Sequence, residues 1–377
     1  MRQPTPLLVL TVLLVATAST SAIIRRHDRD DAAYLKLGAG YPCVTRLGGG
    51  TATLIAPRWL LTAGHVATNL SPFDRSVHFN GRDYPIRAVL VHPKSRQRPR
   101  TAAMDVALIQ LAEPVEGVAP APVYSGRQEK GMNVVFVGPG MFGDGMQGPV
   151  GDDARMRGAT NIVADALDNY LTFSFDAPPQ STELEGISGP GDSGGPALCQ
   201  IDHRAVVVGV SSANDPTGAA GPCRYGSTEY YARVSTVAEW ITTTMATDPA
   251  PRALPADPID IRDGHWPDSP AGRIAGAFFE AYGRGDDQAM ESFERTFRAE
   301  KALKDRPVAE RVQSWRKLHA EWGPLKAHKY IQAAPTELHV LVRAEGEGVW
   351  KSFRFETEPE PPHRLLGISI ASPVAGN

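Results

Sequence analysis

Gly189-Pro190-Gly191-Asp192-Ser193-Gly194-Gly195-Pro196 is the stretch from which the rest of the chain is read. A serine hydroxyl is a poor nucleophile until a base takes its proton. It also needs backbone N–H groups aimed at the place where negative charge develops. Gly191, two residues before Ser193, lets the backbone turn so that two such N–H groups converge. Gly194 and Gly195 relieve crowding beside the hydroxyl. A plain glycine-rich turn would also use glycines, but it does not ask for the six-residue run Gly191-Asp192-Ser193-Gly194-Gly195-Pro196.

Two further segments supply what such a serine requires. Leu60-Leu61-Thr62-Ala63-Gly64-His65-Val66 is an apolar strand that delivers a histidine at its end. Imidazole titrates near neutral pH, which suits a general base. Met104-Asp105-Val106-Ala107-Leu108-Ile109 places one carboxylate just before another apolar strand. Burying that carboxylate is costly unless it is paired. A hydrogen bond from the histidine N–H would pair it and fix the imidazole tautomer. A lone histidine or a turn aspartate is commonplace; the three segments together are not.

Around these segments, residues 35–245 read as short apolar or β-branched strands bounded by Gly, Pro, Asn and Asp, such as Thr51–Ile55 and Asn133–Val137. Only the closing segment, Thr236–Ile241, reads as helix. Strands without alternating helices indicate a β-barrel or sandwich. Residues 246–270 carry Pro249, Pro251, Pro255, Pro258, Pro267 and Pro270 and read as a stiff extended linker. After it the pattern changes to helices over Ala271–Gly283, Ala289–Phe297 and Val308–Trp322. Strands then follow over Lys329–Ala333, Glu337–Ala344, Val349–Glu356 and Leu365–Ile370, an α+β unit.

The 377 residues exceed one compact core, so two folded units are expected. The formal net charge of −3 gives no global basic field, which argues against nucleic acid as a partner. Residues 1–22 combine Arg2, the apolar run Leu7–Ala18 and the small residues Ala18-Ser19-Thr20-Ser21-Ala22. That is the layout of a cleaved export signal, and the run is too short for a bilayer anchor. The mature protein is therefore expected to be secreted, extracellular or periplasmic, with no membrane association after cleavage. An oxidising destination permits a disulfide, but three cysteines allow at most one.

His65, Asp105 and Ser193, in that order and in the contexts TAGHV, DVALIQL and GDSGGP, resemble the chymotrypsin/trypsin family over about residues 23–244. The resemblance implies an all-β fold of two six-stranded antiparallel barrels, with the site in the cleft between them. It implies a serine endopeptidase with a polypeptide substrate and no metal or organic cofactor. The N–H groups of Gly191 and Ser193 would form the oxyanion hole. Ser211-Ser212-Ala213 falls where the family has a substrate-binding edge strand; Ser212 is the choice for supporting Asp105, with Ser211 as the alternative. Asp192 would pair with the free ammonium of Ile23, which follows Ala22 at the expected signal cleavage point; cleavage after Arg25 or Arg26 competes.

The same resemblance puts Ile187 at the base of the primary substrate pocket and Glu229 in its wall. Glu229 would reach a basic substrate side chain, or else the pocket is apolar with solvated glutamates at its rim. Cys199 and Cys223 match family cysteines whose usual partners are absent; a non-standard Cys199–Cys223 bridge is the candidate, with no bridge as the alternative. Residues 271–377 resemble NTF2-like α+β domains of secreted bacterial hydrolases. By that resemblance Trp315, Trp322, His319 and Trp350 would line a pocket for an unknown ligand, or else form core. Two other functions compete with the peptidase: a binding protein that keeps the fold without turnover, and a protease whose role is set by ligand binding in the C-terminal domain.

Overall fold

The computed structural model describes residues 23–95, 104–214, 221–253, 256–262, 264–346 and 348–371. The stretch read as an export signal, residues 1–22, lies outside the described residues. Among those residues no helix is long and apolar enough to cross a membrane.

Two curled antiparallel sheets make up the first part. The first nearly closes into a barrel from β2 (Val44–Leu47), β3 (Gly50–Ala56), β4 (Trp59–Thr62), β5 (Ser76–Phe79), β6 (Arg82–Val91) and β7 (Ala107–Leu111), in the order β2-β3-β4-β7-β6-β5. Every residue of β4 and β7 is buried, as their unbroken apolar character demands. The second is a half-barrel of β8 (Asn133–Gly138), β11 (Arg157–Ile162), β12 (Asp165–Ala166), β13 (Tyr170–Ser174), β15 (Pro196–Ile201), β16 (Arg204–Asn214) and β17 (Thr228–Arg233). It has seven strands where six were expected, because the two-residue β12 extends its edge beside β13. Phe136, Phe173 and Tyr231 pack ring on ring in its interior.

A small third sheet joins the N-terminal strand β1 (Ile23–Arg25) to β9 (Phe142–Asp144), β10 (Gly148–Gly151) and β14 (Gly186–Ile187). Two helices of this first part, like α6 (Glu300–Asp305) in the C-terminal part, were not expected. α1 (Asp31–Ala39) is capped by the Asp30 side chain and buries mainly Tyr34. Its apolar stripe is too narrow to announce itself as a period. α2 (Gly64–Thr68) is a single short turn after β4. The expected closing helix is present as α3 (Ala238–Met245).

α1 is locked to β11 by charge. Arg157 is fully buried, and its guanidinium donates to both oxygens of Asp31 at 2.8 and 2.9 Å and to both of Asp153 at 3.1 Å. Two carboxylates around one cation satisfy the charge that burial would otherwise penalise.

The C-terminal part is a sheet plus helices. β18 (Ile259–Asp260), β19 (Leu325–Ala334), β20 (Glu337–Ala344), β21 (Val349–Thr357) and β22 (Leu365–Ala371) run antiparallel in sequence order. α4 (Pro270–Arg284), α5 (Asp287–Phe297), α6 (Glu300–Asp305) and α7 (Val308–Trp322) accompany them. Ser269 caps α4 by accepting from the Gly272 N–H, and Gly285 ends it in the left-handed conformation. Trp315 and Trp322 belong to the buried core, where Phe278, Phe353 and Phe355 meet them. Trp350 instead packs on His328, away from His319, so the four aromatic candidates do not converge on one pocket.

The linker is pinned to the first barrel. Its Arg252 donates to the carbonyls of Asp74 at 2.8 Å, Ser71 at 3.2 Å and Leu70 at 3.4 Å. Arg75 reaches back to Asp257 at 2.7 Å.

Replacing Arg157 with Ala removes the two short bonds it gives to buried Asp31 and the two it gives to half-buried Asp153. The expected loss is about 3–5 kcal/mol of unfolding free energy in denaturant titration. A loss under about 1 kcal/mol would show that the ion cluster does not hold α1.

Candidate active site

Four separate elements bring the sequence candidates together. β4 ends at Thr62 and α2 begins two residues later, which sets His65 at the rim between the sheets. Asp105 stands two residues before β7, the strand paired with β4. Ser193 lies in the turn before β15, and Ser212 near the end of β16.

Asp105 is buried and accepts four hydrogen bonds. Its Oδ2 takes His65 Nδ1 at 2.7 Å and Ser212 Oγ at 2.7 Å. Its Oδ1 takes the backbone N–H of His65 at 2.9 Å and Ser95 Oγ at 3.4 Å. Burial pushes its pKa upward, but the bonds from His65 and Ser212 outweigh it and hold the carboxyl below its ordinary value. An ionised Asp105 fixes the proton on His65 Nδ1 and leaves Nε2 with its lone pair outward. Of the two serines considered for this support, Ser212 makes the short bond; Ser211 Oγ turns to Glu229 Oε1 at 3.4 Å.

The turn before β15 is shaped by its backbone. Gly191 has φ 95° and Gly194 φ 84°, a region costly for any residue with a Cβ. The Pro190 carbonyl accepts from Met141 N–H at 2.6 Å, and the Asp192 carbonyl from Gly195 N–H at 2.8 Å. In a trans peptide the C=O and the following N–H point in opposite directions. Tying these two carbonyls inward therefore turns the N–H groups of Gly191 and Ser193 outward. Thr51 adds two clamps: its Oγ1 donates to Gly191 O at 3.0 Å and its N–H to Ser193 O at 2.8 Å.

Asp192 is almost wholly buried. Its Oδ1 accepts from Gly140 N–H at 2.7 Å and its Oδ2 from Gly189 N–H at 2.8 Å. Burial raises its pKa to about 7 against those two bonds. β1 docks on the neighbouring strands: Ile24 pairs with Ile187, and Ile23 with Phe142, two residues from the Gly140 that donates to Asp192. Ile23 has φ 63°, a strained conformation for a β-branched residue.

The residues assigned to the substrate pocket are deeper than expected. Ile187 is fully buried against Ile24, Phe175 and Cys223. Glu229 is not a solvated rim group; it is 1% exposed and accepts from Ser188 N–H at 3.1 Å. Burial drives its pKa to about 8. The candidate Cys199–Cys223 bridge is absent: Cys43, Cys199 and Cys223 are all free and buried. Cys199 packs with the second-sheet core, whereas Cys223 belongs to the separate cluster around Ile187. The Cys223 thiol is pushed up to about 12 by burial.

His65 and Ser193 open onto one cleft of about 610 Å³. Sequence reasoning missed part of its wall: His339, Ser352 and Arg354 of the C-terminal sheet face into it. It also missed Met141, Gly140 and Thr51. Met141 and Gly140 act through backbone N–H groups, which leave no side-chain signature.

A carboxyl whose folded pKa lies above its unfolded value keeps a proton that the unfolded chain has released. Its contribution to stability is full below about pH 4 and is lost as pH rises through the folded value. The melting temperature is expected to fall between about pH 5 and pH 8 through Glu229, joined by Asp192 in a chain where no ammonium pairs with it. Glu229→Gln should flatten the upper part of that slope in thermal scans; an unchanged slope would contradict the assignment. The family model for Trypsin matches residues 38–241, which span both curled sheets and every group of the cleft floor. The chain therefore belongs to the trypsin family of serine peptidases.

Proposed function

We propose that the protein is a secreted serine endopeptidase that hydrolyses peptide bonds through Ser193, His65 and Asp105. The observation that carries this reading is the pairing of His65 Nδ1 with a buried Asp105 at 2.7 Å, on the same cleft as Ser193. Ser193 Oγ attacks the scissile carbonyl while His65 Nε2 takes its proton. Asp105 stays ionised and stabilises the imidazolium. The carbonyl oxygen becomes an oxyanion that receives the N–H groups of Gly191 and Ser193. As the tetrahedral intermediate collapses, His65 returns the proton to the departing amine. Water then hydrolyses the acyl-serine by the same steps in reverse order.

Maturation at Ile23 belongs to the same proposal. Export would remove residues 1–22 and free an ammonium on Ile23, whose strand partner Phe142 is two residues from the Gly140 bonded to Asp192. The interior carboxylate would then gain a cation, and the strained φ at Ile23 would vanish with the bond before it. N-terminal sequencing of the active enzyme should read Ile23-Ile24. A chain carrying one extra residue before Ile23 should lose about 10²–10³-fold in kcat/KM, as for a broken buried pair. Equal activity with and without the extension would sink this part.

Substitution tests the chemistry itself. On denatured casein, Ser193→Ala should abolish turnover. Asp105→Asn should lower kcat by about 10⁴-fold, because the wrong imidazole tautomer is then held. Retained turnover in Ser193→Ala, with folding unchanged by circular dichroism, would overturn the reading.

A further inference from the structure

The cleft that holds His65 and Ser193 is built by two domains. One wall is α2 and the chain after it, through Thr68, Asn69 and Ser71. The facing wall is the outer face of the C-terminal sheet. Strand register puts His339, Arg354 and Ser369 in one row across β20, β21 and β22. Ser352 and Ala371 form the next row, and positions two apart along a strand share a face. The alternate positions Phe353 and Phe355 are fully buried in the domain core, so this face looks outward. Ser71 Oγ and Ser352 Oγ, both buried, meet at 2.9 Å across the domain boundary. The Arg252 bonds to the 70–74 segment hold the linker at the same place.

Chemistry assigns a direction to this cleft. The departing amine takes its proton from His65, so the chain that follows the scissile bond leaves past His65. The cavity runs that way, from Ser193 and His65 along α2 to Ser71. It takes no residue from β14 or from the 211–214 end of β16.

We propose that the outer face of the C-terminal sheet is a specificity wall for the part of the substrate that follows the scissile bond, with Arg354 favouring acidic over basic side chains there. The inference rests on the peptidase reading above. Among the described residues lining the cleft, Arg354 is the one Lys or Arg and there is no Asp or Glu. Glu337 at 2.9 Å and Glu356 at 3.3 Å steady the guanidinium from beside the cleft, and its side chain remains 39% exposed. β22 is the edge strand of its sheet. An extended chain lying along 369–371 would find backbone groups available for pairing.

The test compares two kinds of substrate with the full-length mature enzyme. Cleavage sites in denatured casein and serum albumin, read by mass spectrometry, report residues on both sides of the scissile bond. A peptidyl coumarin amide, chosen from those sites, has no amino acid after it. Wild-type enzyme should favour Asp or Glu over Lys or Arg, within four residues after the cut, by about three- to tenfold. Arg354→Glu should remove or reverse that preference, and Ser369→Asp, an exposed change in the same row, should shift it the same way. Both variants should hydrolyse the coumarin amide within about twofold of wild type. Unchanged preferences in both variants, with both substrates turned over, would overturn this inference alone. An equal fall on both substrates would also overturn it, because Arg354 would then act through the fold. No turnover of either substrate by the wild type would overturn the peptidase reading and this inference with it.

Discussion

A carboxylate in the interior has to be satisfied, and Asp192 is the one on which the cleft depends. Its two oxygens draw the Gly140 and Gly189 N–H groups together. That bond pair fixes the loop after β8 against the turn before β15. The same loop presents Met141, whose N–H holds the Pro190 carbonyl and so turns the Gly191 N–H outward. β1 packs beside this knot through the Ile24–Ile187 pairing. Removing the carboxylate would release two segments at once, which is why a residue that touches no substrate has such a hold on the site.

Asp105 poses the same problem on the other side of the cleft and meets it differently. Its oxygens are satisfied by His65 and by serines from two other segments, so satisfying a buried charge also orients an imidazole. Glu229 shows what happens with fewer donors. It has the Ser188 N–H and a long contact to Ser211, and burial pushes it toward the neutral form. Asp105, with four donors, is thus held below its ordinary value, whereas Asp192 and Glu229, with two donors each, are both raised by burial.

Much of this was legible in the sequence because it is carried by side chains in local context. The Gly191–Ser193 turn, the strand that ends at His65 and the strand after Asp105 each announce themselves within six or seven residues. In the C-terminal part α4, α5, α7 and the strands β19 to β22 follow their apolar period, whereas α6, which buries no residue, and the exposed β18 do not. What stayed hidden is held by backbone or by distant packing. α1 buries mainly one large side chain, so its period is faint, and its anchor is Arg157, 126 residues from Asp31. The candidate Cys199–Cys223 bridge does not form, because the two cysteines belong to separate clusters. The wall contributed by Ser352 and Arg354 depends on domain docking, which no local pattern encodes.

The central claim is that Ser193 is a nucleophile activated by its surroundings rather than an ordinary surface hydroxyl. Labelling with a fluorophosphonate, followed by peptide mapping, tests it most directly. The account predicts one phosphonylated residue, Ser193, in the native enzyme and none after denaturation or in His65→Ala. Labelling of another serine, or none in a folded mature enzyme, would contradict it.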